Sequence, residues 1–294
     1  MKISTTTEML AKLYGMEESI RMIGAYGFDC VDFSNFSIKN WEQNPVFTPG
    51  WKTYADHLRT VAEEAGITFN QSHAPFPSCK PEKEENREYN DIIVEKLHQA
   101  IRFAGRLGAK SVVVHPLKEF PHYGREQYWK DLNMDFYRAL APTAKEAGIK
   151  IALENMFVND PNRKFYTESV CGDPREFADY LDTLADDCFT ACLDLGHCAL
   201  CGYSAADAIR ILGADRLGAL HVHDNDCKTD NHLPPFTGLQ DWAAVTDALR
   251  EIGYRGEITL ESDRIFKNTP AEMYPSTLRY LHDVARCLAD MCEK

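Results

Sequence analysis

No apolar run in this chain approaches the roughly 20 residues that a membrane-spanning helix needs, so no membrane partner is expected. Lysine and arginine are scarce, 32 against 45 aspartates and glutamates, for a net charge of −13. Nucleic-acid affinity rests largely on phosphate neutralisation by those cations, so no nucleic-acid partner is expected either. The acidic balance says less about small anions, because a local cluster or a metal overrides a global field. No Pro/Gly/Ser-rich linker, charge block or shift in composition marks a boundary, and the 294 residues are read as one domain, 1–294. A Gly-rich GxGxxG turn is missing after the first strand-like run, which argues against a dinucleotide-binding open sheet. The ten cysteines lack framework spacing and fit reduced thiols and a cytoplasmic location. The opening MKISTTTEMLAKLYG has one early lysine and no apolar core, unlike a signal peptide.

What is present is a recurring unit. A helical stretch ends in glycine and a β-rich run follows: AYGFDCVDF (25–33), EAGITFNQSH (64–73), RLGAKSVVVH (106–115), EAGIKIALEN (146–155) and EIGYRGEITLE (251–261). Glycine there suits the left-handed residue that closes a helix. Gly27, Gly66, Gly108 and Gly148 lie roughly 40 residues apart, about one βα unit of a barrel. Strands are predicted at 2–6, 29–34, 67–72, 111–115, 150–154, 190–194, 218–222 and 257–261. Helices are predicted near 17–26, 51–65, 86–107, 126–147, 174–185, 205–213, 240–252 and 271–291. Eight strands alternating with eight helices define an α/β fold, a (β/α)₈ TIM barrel.

Nine residues able to ligate a metal are spread along the chain, nearly all at or just after a strand-like run: His73, His115, Glu154, Asp194, His197, His221, Asp230, His232 and Glu261. Six of them, His73, His115, Glu154, Asp194, His221 and Glu261, end the third to eighth strands. A parallel barrel gathers those ends at one face, where active sites lie. Mixed histidine and carboxylate ligands suit Mn²⁺, Zn²⁺, Co²⁺ or Mg²⁺. No cysteine belongs to the set, so a thiolate structural zinc site is not expected. Cys198 and Cys201 form a C-x-x-C that reads as ordinary thiols. Phe33, Phe36, Trp41 and Phe76 could cover a sugar face or pack the core. Lys118, Arg125, Lys228, Arg264 and Lys267 follow strands but form no phosphate motif, so a non-phosphorylated substrate is expected.

The motifs His-Ala-Pro (73–75), His-Pro (115–116), Leu-Glu-Asn (153–155), Asp-Leu-Gly-His (194–197), His-Val-His-Asp (221–224), Asp-Asn-His-Leu-Pro-Pro-Phe-Thr-Gly (230–238) and Leu-Glu-Ser (260–262) carry a resemblance. Over nearly its whole length the chain resembles the xylose-isomerase-like barrel superfamily, which includes endonuclease IV and the ketose 3-epimerases. Resemblance to the epimerases implies one metal on Glu154, Asp194, His221 and Glu261. Resemblance to endonuclease IV implies a trinuclear zinc site that also uses His73, His115, His197, Asp230 and His232. The chain lacks that nuclease's basic DNA-inserting loops. It also lacks the epimerases' arginine a few residues past His221, where it reads Asp-Asn-Asp-Cys-Lys with Lys228.

These residues suit a sugar isomerase or epimerase. The reaction removes a weakly acidic proton beside a carbonyl, and a divalent metal stabilises the resulting enediolate. Glu154 and Glu261 are expected to act as acid and base. His73, His115, His197, Asp230 and His232 are expected to contact substrate or further metal. The alternatives are an endonuclease IV-like phosphodiesterase, or a lyase or dehydratase acting on a keto-sugar, including C-glycoside cleavage. A small sugar is the expected partner, with a homo-oligomer an open possibility.

Overall fold

The structure, a computed structural model, describes residues 1–34, 38–80 and 83–294. Its strands are β1 (Ile3–Thr6), β2 (Cys30–Phe33), β3 (Thr68–His73), β4 (Ser111–Val114), β5 (Lys150–Glu154), β6 (Phe157–Asp160), β7 (Phe165–Glu168), β8 (Phe189–Asp194), β9 (Leu217–His221) and β10 (Ile258–Leu260). The helices are α1 (Glu8–Tyr14), α2 (Met16–Ala25), α3 (Trp51–Glu64), α4 (Arg87–Leu107), α5 (Glu126–Ala147), α6 (Pro174–Leu184), α7 (Leu195–Leu200), α8 (Ala205–Arg216), α9 (Trp242–Glu251) and α10 (Tyr274–Glu293).

Eight strands pair in parallel in the order β10-β1-β2-β3-β4-β5-β8-β9. A bridge between Val222 and Leu260 links the two ends and closes the barrel. This is the predicted (β/α)₈ fold. Each predicted strand is present, with ends within one or two residues. The glycine signal has the expected cause: Gly108 (φ 89°) and Gly148 (φ 65°) take the left-handed cap position after α4 and α5.

Two parts were not predicted. Helices α1 and α7 are short helices after β1 and β8. Strands β6 and β7 form a separate antiparallel hairpin that rises from the end of β5. No helix among the described residues is long and apolar enough to cross a membrane.

The core has two parts. The larger lies between strands and helices, around side chains such as Tyr137, Tyr180, Phe103 and Phe177. The smaller lies inside the barrel and consists of Val113, Ala152, Cys192 and Ala219. Side chains two apart on a strand face the same way. Stepping two residues up from these four reaches His115, Glu154, Asp194 and His221. The same step from Thr259 reaches Glu261. A plug of small inward residues thus supports a polar layer at the C-terminal mouth. Beneath it, Ser4 donates to Asn70 (2.7 Å) and Asn70 donates to Thr259 (2.8 Å), which satisfies the polar groups buried in the barrel floor.

Candidate metal and sugar site

His221 sits at the centre of the mouth and is fully buried. Its Nδ1 lies 3.1 Å from Glu154, 3.4 Å from Glu261 and 3.8 Å from Asp194. The four residues picked out by the epimerase resemblance therefore converge. Glu154, Asp194 and His221 each offer a ligand atom within 4.8 Å of the others. Around this set, His115 Nε2 lies 2.8 Å from Glu154, and His73 Nε2 lies 3.7 Å from Glu261. His73 also stacks on His221, with ring centroids 4.5 Å apart.

The remaining sequence candidates adjoin on the other side. The backbone N–H of His197 donates to Asp194 Oδ1 (2.7 Å), so Asp194 caps α7 and fixes its own rotamer. His197 Nδ1 lies 2.8 Å from the Asn155 carbonyl. Its Nε2 lies 3.9 Å from Asp230. His232 Nδ1 lies 2.7 Å from the Glu261 carbonyl, and its Nε2 lies 3.2 Å from Asp230. All nine candidates thus gather in one region.

Three residues outside that list take part. Asn155 pairs with the backbone of Asp194: its Nδ2 donates to the carbonyl (2.9 Å) and its Oδ1 accepts from the N–H (2.7 Å). This ties the ends of β5 and β8 together beside Glu154. Asp32, fully buried at the end of β2, lies 3.2 Å from His73. His223 lies 3.0 and 3.1 Å from the two oxygens of Asp194 and stacks on His232 at 4.2 Å. Gly196 makes room for that ring, since a Cβ there would stand 1.9 Å from His223 Cε1. The alternation His221-Val222-His223 signals one shared face. Nothing in the sequence shows that Asp32 meets His73, 41 residues away.

The electrostatics are uneven. Burial opposes ionisation of Glu154, but His115 and His221 hold it well below the usual carboxylate range. Burial likewise opposes Asp194, and His197 and His223 hold it low. Glu261 goes the other way. Burial, with Asp194, Glu154 and Asp32 nearby, pushes it well above the usual range despite His232. Burial disfavours a charged His73, but Asp32 prevails and raises it to about 9. Three carboxylates around one imidazole nitrogen disfavour the ionised form of Glu261, a cost that a divalent cation would relieve. His221 Nε2 is buried without a hydrogen-bond partner among the described residues. The donor types and this unpaired atom fit a hard or borderline divalent ion. Glu154, Asp194, His221 and Glu261 could hold it.

A cavity of about 780 Å³ opens over this cluster. Its lining includes His73, His115, Glu154, His197, Asp230, His232 and Glu261, with Phe76, Met156 and Phe157 as apolar walls. Of the aromatics considered from sequence, Phe76 lines the cavity and stacks near His115 (4.8 Å). Phe33 is buried against Phe69 and Phe103, and Trp41 packs on Phe47 and Tyr89. Phe36 lies outside the described residues. Lys118, Arg264 and Lys267 line the cavity. Arg125 instead packs over Tyr128 and Trp129, and Lys228 is exposed.

Residues 20–284 match the family described as xylose isomerase-like TIM barrel. The chain belongs to that family. An uncharacterised protein of Methanocaldococcus jannaschii is 31% identical over 199 residues, 66% of this chain and 64% of that protein. The chain thus spans just under two-thirds of that relative's length. A D-psicose 3-epimerase of Enterocloster bolteae is 28% identical over 247 residues, 81% of this chain and 74% of the relative. Among solved structures, a D-tagatose 3-epimerase-like protein superposes with a TM-score of 0.74 at 20% identity, covering 100% of this chain and 98% of the other. The IolI protein with a bound zinc atom gives 0.69 at 20% identity, covering 99% and 98%. The relatives thus include sugar epimerases, and a structural neighbour holds a divalent metal in the same fold.

Proposed function

We propose that this protein is a divalent-metal-dependent sugar isomerase or epimerase that works by proton transfer beside a carbonyl. One observation carries the reading: the carboxylates of Glu154 and Glu261 reach the same nitrogen of His221, at 3.1 and 3.4 Å, from strands on different parts of the barrel. Two carboxylates at one mouth, with a cavity over them, suit removal of a proton from one face of a carbon and its return from another. The D-psicose 3-epimerase relative supports that class of substrate.

Glu154, Asp194, His221 and Glu261 would hold the ion, which supplies Lewis-acid stabilisation of negative charge developing on the sugar oxygens. Glu154 is kept ionised by its histidine neighbours, which suits a proton acceptor. Glu261, just past the end of β10, sets a second carboxyl beside the same imidazole nitrogen, which suits return of the proton. Asn155 and His223 hold Asp194 in place. Phe76 and Phe157 form apolar walls of the cavity. The unbridged cysteines support a reducing, cytoplasmic setting.

The test is solvent exchange. Protein loaded with Mn²⁺, Zn²⁺, Co²⁺ or Mg²⁺ is incubated in D₂O with a panel of ketoses. Deuterium entering at the carbon beside the carbonyl supports the reading; turnover without deuterium rejects it in favour of hydride shift, hydrolysis or another step.

One observation favours a second reading, a phosphodiesterase using several ions. His73, His115 and Glu154 form a further donor group, and so do Asp194, His197 and His223. Metal analysis separates the two: one equivalent per chain supports the epimerase-like site, three the nuclease-like one.

A further inference from the structure

Five cations line the cavity: Lys12, Lys80, Lys118, Arg264 and Lys267. Two are occupied by neighbours, Lys12 by Glu8 (2.5 Å) and Arg264 by Asp230 (3.4 Å). Among the described residues, Lys80, Lys118 and Lys267 have no carboxylate within ion-pair distance. Three unpaired lysines at one opening are a local excess in a chain of net charge −13.

Lys118 is the most constrained of the three. The carbonyl of Phe157 accepts one of its N–H groups (2.5 Å), and the Phe157 ring lies 5.2 Å from its ammonium. Lysine has three donors, so two remain for the cavity. The backbone beside it is clamped. Asn133, fully buried, accepts from the Leu117 N–H (2.8 Å) and donates to the Leu117 carbonyl (2.9 Å). The ammonium is thus held at a wall it shares with His115, Glu154 and His197. The carboxylates whose charge reaches it are engaged elsewhere: Glu154 with His115 and His221, and Asp230 with His232 and Arg264. A partly buried charge without a counterion is costly, and such costs concentrate at functional sites.

We propose that the sugar bound here carries an anionic oxygen group, a carboxylate or a phosphate, and that Lys118 binds it, with Lys80 and Lys267 adding to the field at the rim. This rests on the sugar reading of the cavity and specifies its substrate class. Neutral hydroxyls would accept the two free N–H groups but leave the charge uncompensated. An anionic oxygen does both, through a charge-assisted bond.

The test compares three ketoses that differ in one group: D-fructose, D-fructose 6-phosphate and D-fructuronate. Binding to the metal-loaded protein is measured by calorimetry for the wild type, Lys118→Met and Lys118→Arg, with metal content and thermal midpoint checked for each. The wild type is expected to bind at least one charged ketose about 10- to 100-fold tighter than D-fructose. That preference should fall to about one in Lys118→Met, partly return in Lys118→Arg, and shrink as salt is raised. Which charged ketose is preferred distinguishes carboxylate from phosphate. Equal binding of all three sugars, or a preference that survives Lys118→Met, overturns the inference. If D-fructose exchanges solvent deuterium without such a preference, only the inference fails. If no sugar in the set binds or exchanges, the sugar reading fails with it.

Discussion

Gly196→Ala should damage the proposed metal site although residue 196 is not among its four donors. A methyl group there would lie 1.9 Å from His223 Cε1, 2.5 Å from Nδ1 and 2.6 Å from Nε2. The ring has nowhere simple to go. His223 is fully buried, lies 3.0 Å from Asp194 and stacks at 4.2 Å on His232. Overpacking costs about 1–3 kcal/mol, and a lost charge-assisted hydrogen bond adds about 1.5–3 kcal/mol. Alanine's better helix propensity returns at most about 1 kcal/mol. The net expectation is a loss of roughly 2–5 kcal/mol, a fall of about 5–15 °C in thermal midpoint for a domain of this size. Because His223 orients Asp194, divalent-ion affinity should drop about 10- to 100-fold, as for other losses of a group that orients a ligand. Thermal and urea unfolding with calorimetric ion titration measure both. In a His223→Ala background the clash is gone, so the same substitution should cost under about 1 kcal/mol. A Gly196→Ala protein within about 0.5 kcal/mol of wild type, or one equally destabilised in both backgrounds, would refute the reasoning.

Removing divalent ions with a chelator should lower the thermal midpoint, and adding an ion back should restore it, by about 2.7 kcal/mol at 100 times the dissociation constant; identical melting with and without chelator would contradict a resident ion. Ion binding should strengthen as pH rises. Glu261 has a raised folded pKa, so its stabilising contribution to the ion-free fold is present below the ordinary glutamate value and is lost as pH rises through the raised value. An ion takes that proton's place, so calorimetry in buffers of different ionisation enthalpy should show proton release. Pairing at the Asn155 side chain predicts that Asn155→Ala weakens ion binding while Asn155→Asp does so more, because the latter puts a further carboxylate beside Asp194 and cannot donate to its carbonyl. Ion titration of both variants checks the order.

The barrel strands were legible as short runs of buried β-formers, five of which follow a helix that ends in glycine. The site was legible because the residue at each strand end is polar where the residues before it are not: Val114 then His115, Leu153 then Glu154, Leu220 then His221. What escaped has equally local causes. Helices α1 and α7 have seven and six residues, too few to show a helical repeat. The β6–β7 hairpin mixes Phe157 and Val158 with Asn159 and Asp160, and that pattern reads as loop. Asp32 lies in a strand whose other residues are apolar, and its partner His73 belongs to the next unit. His223 follows His221 by two residues, but only the turn of the chain after β9 brings it against Asp194. Lys118 was visible as a loop cation; its lack of a counterion depends on packing that no motif encodes.

The central claim is that Glu154 and Glu261 serve two faces of one sugar carbon. Solvent exchange in D₂O with Glu154→Gln and Glu261→Gln, each checked for retained ion, tests it most directly. The account predicts that each variant loses epimerisation by about 10²- to 10⁴-fold, and that each still places deuterium in only one of the two epimers, a different one for each variant. Wild-type turnover in either variant, or exchange into both epimers by both, would contradict it.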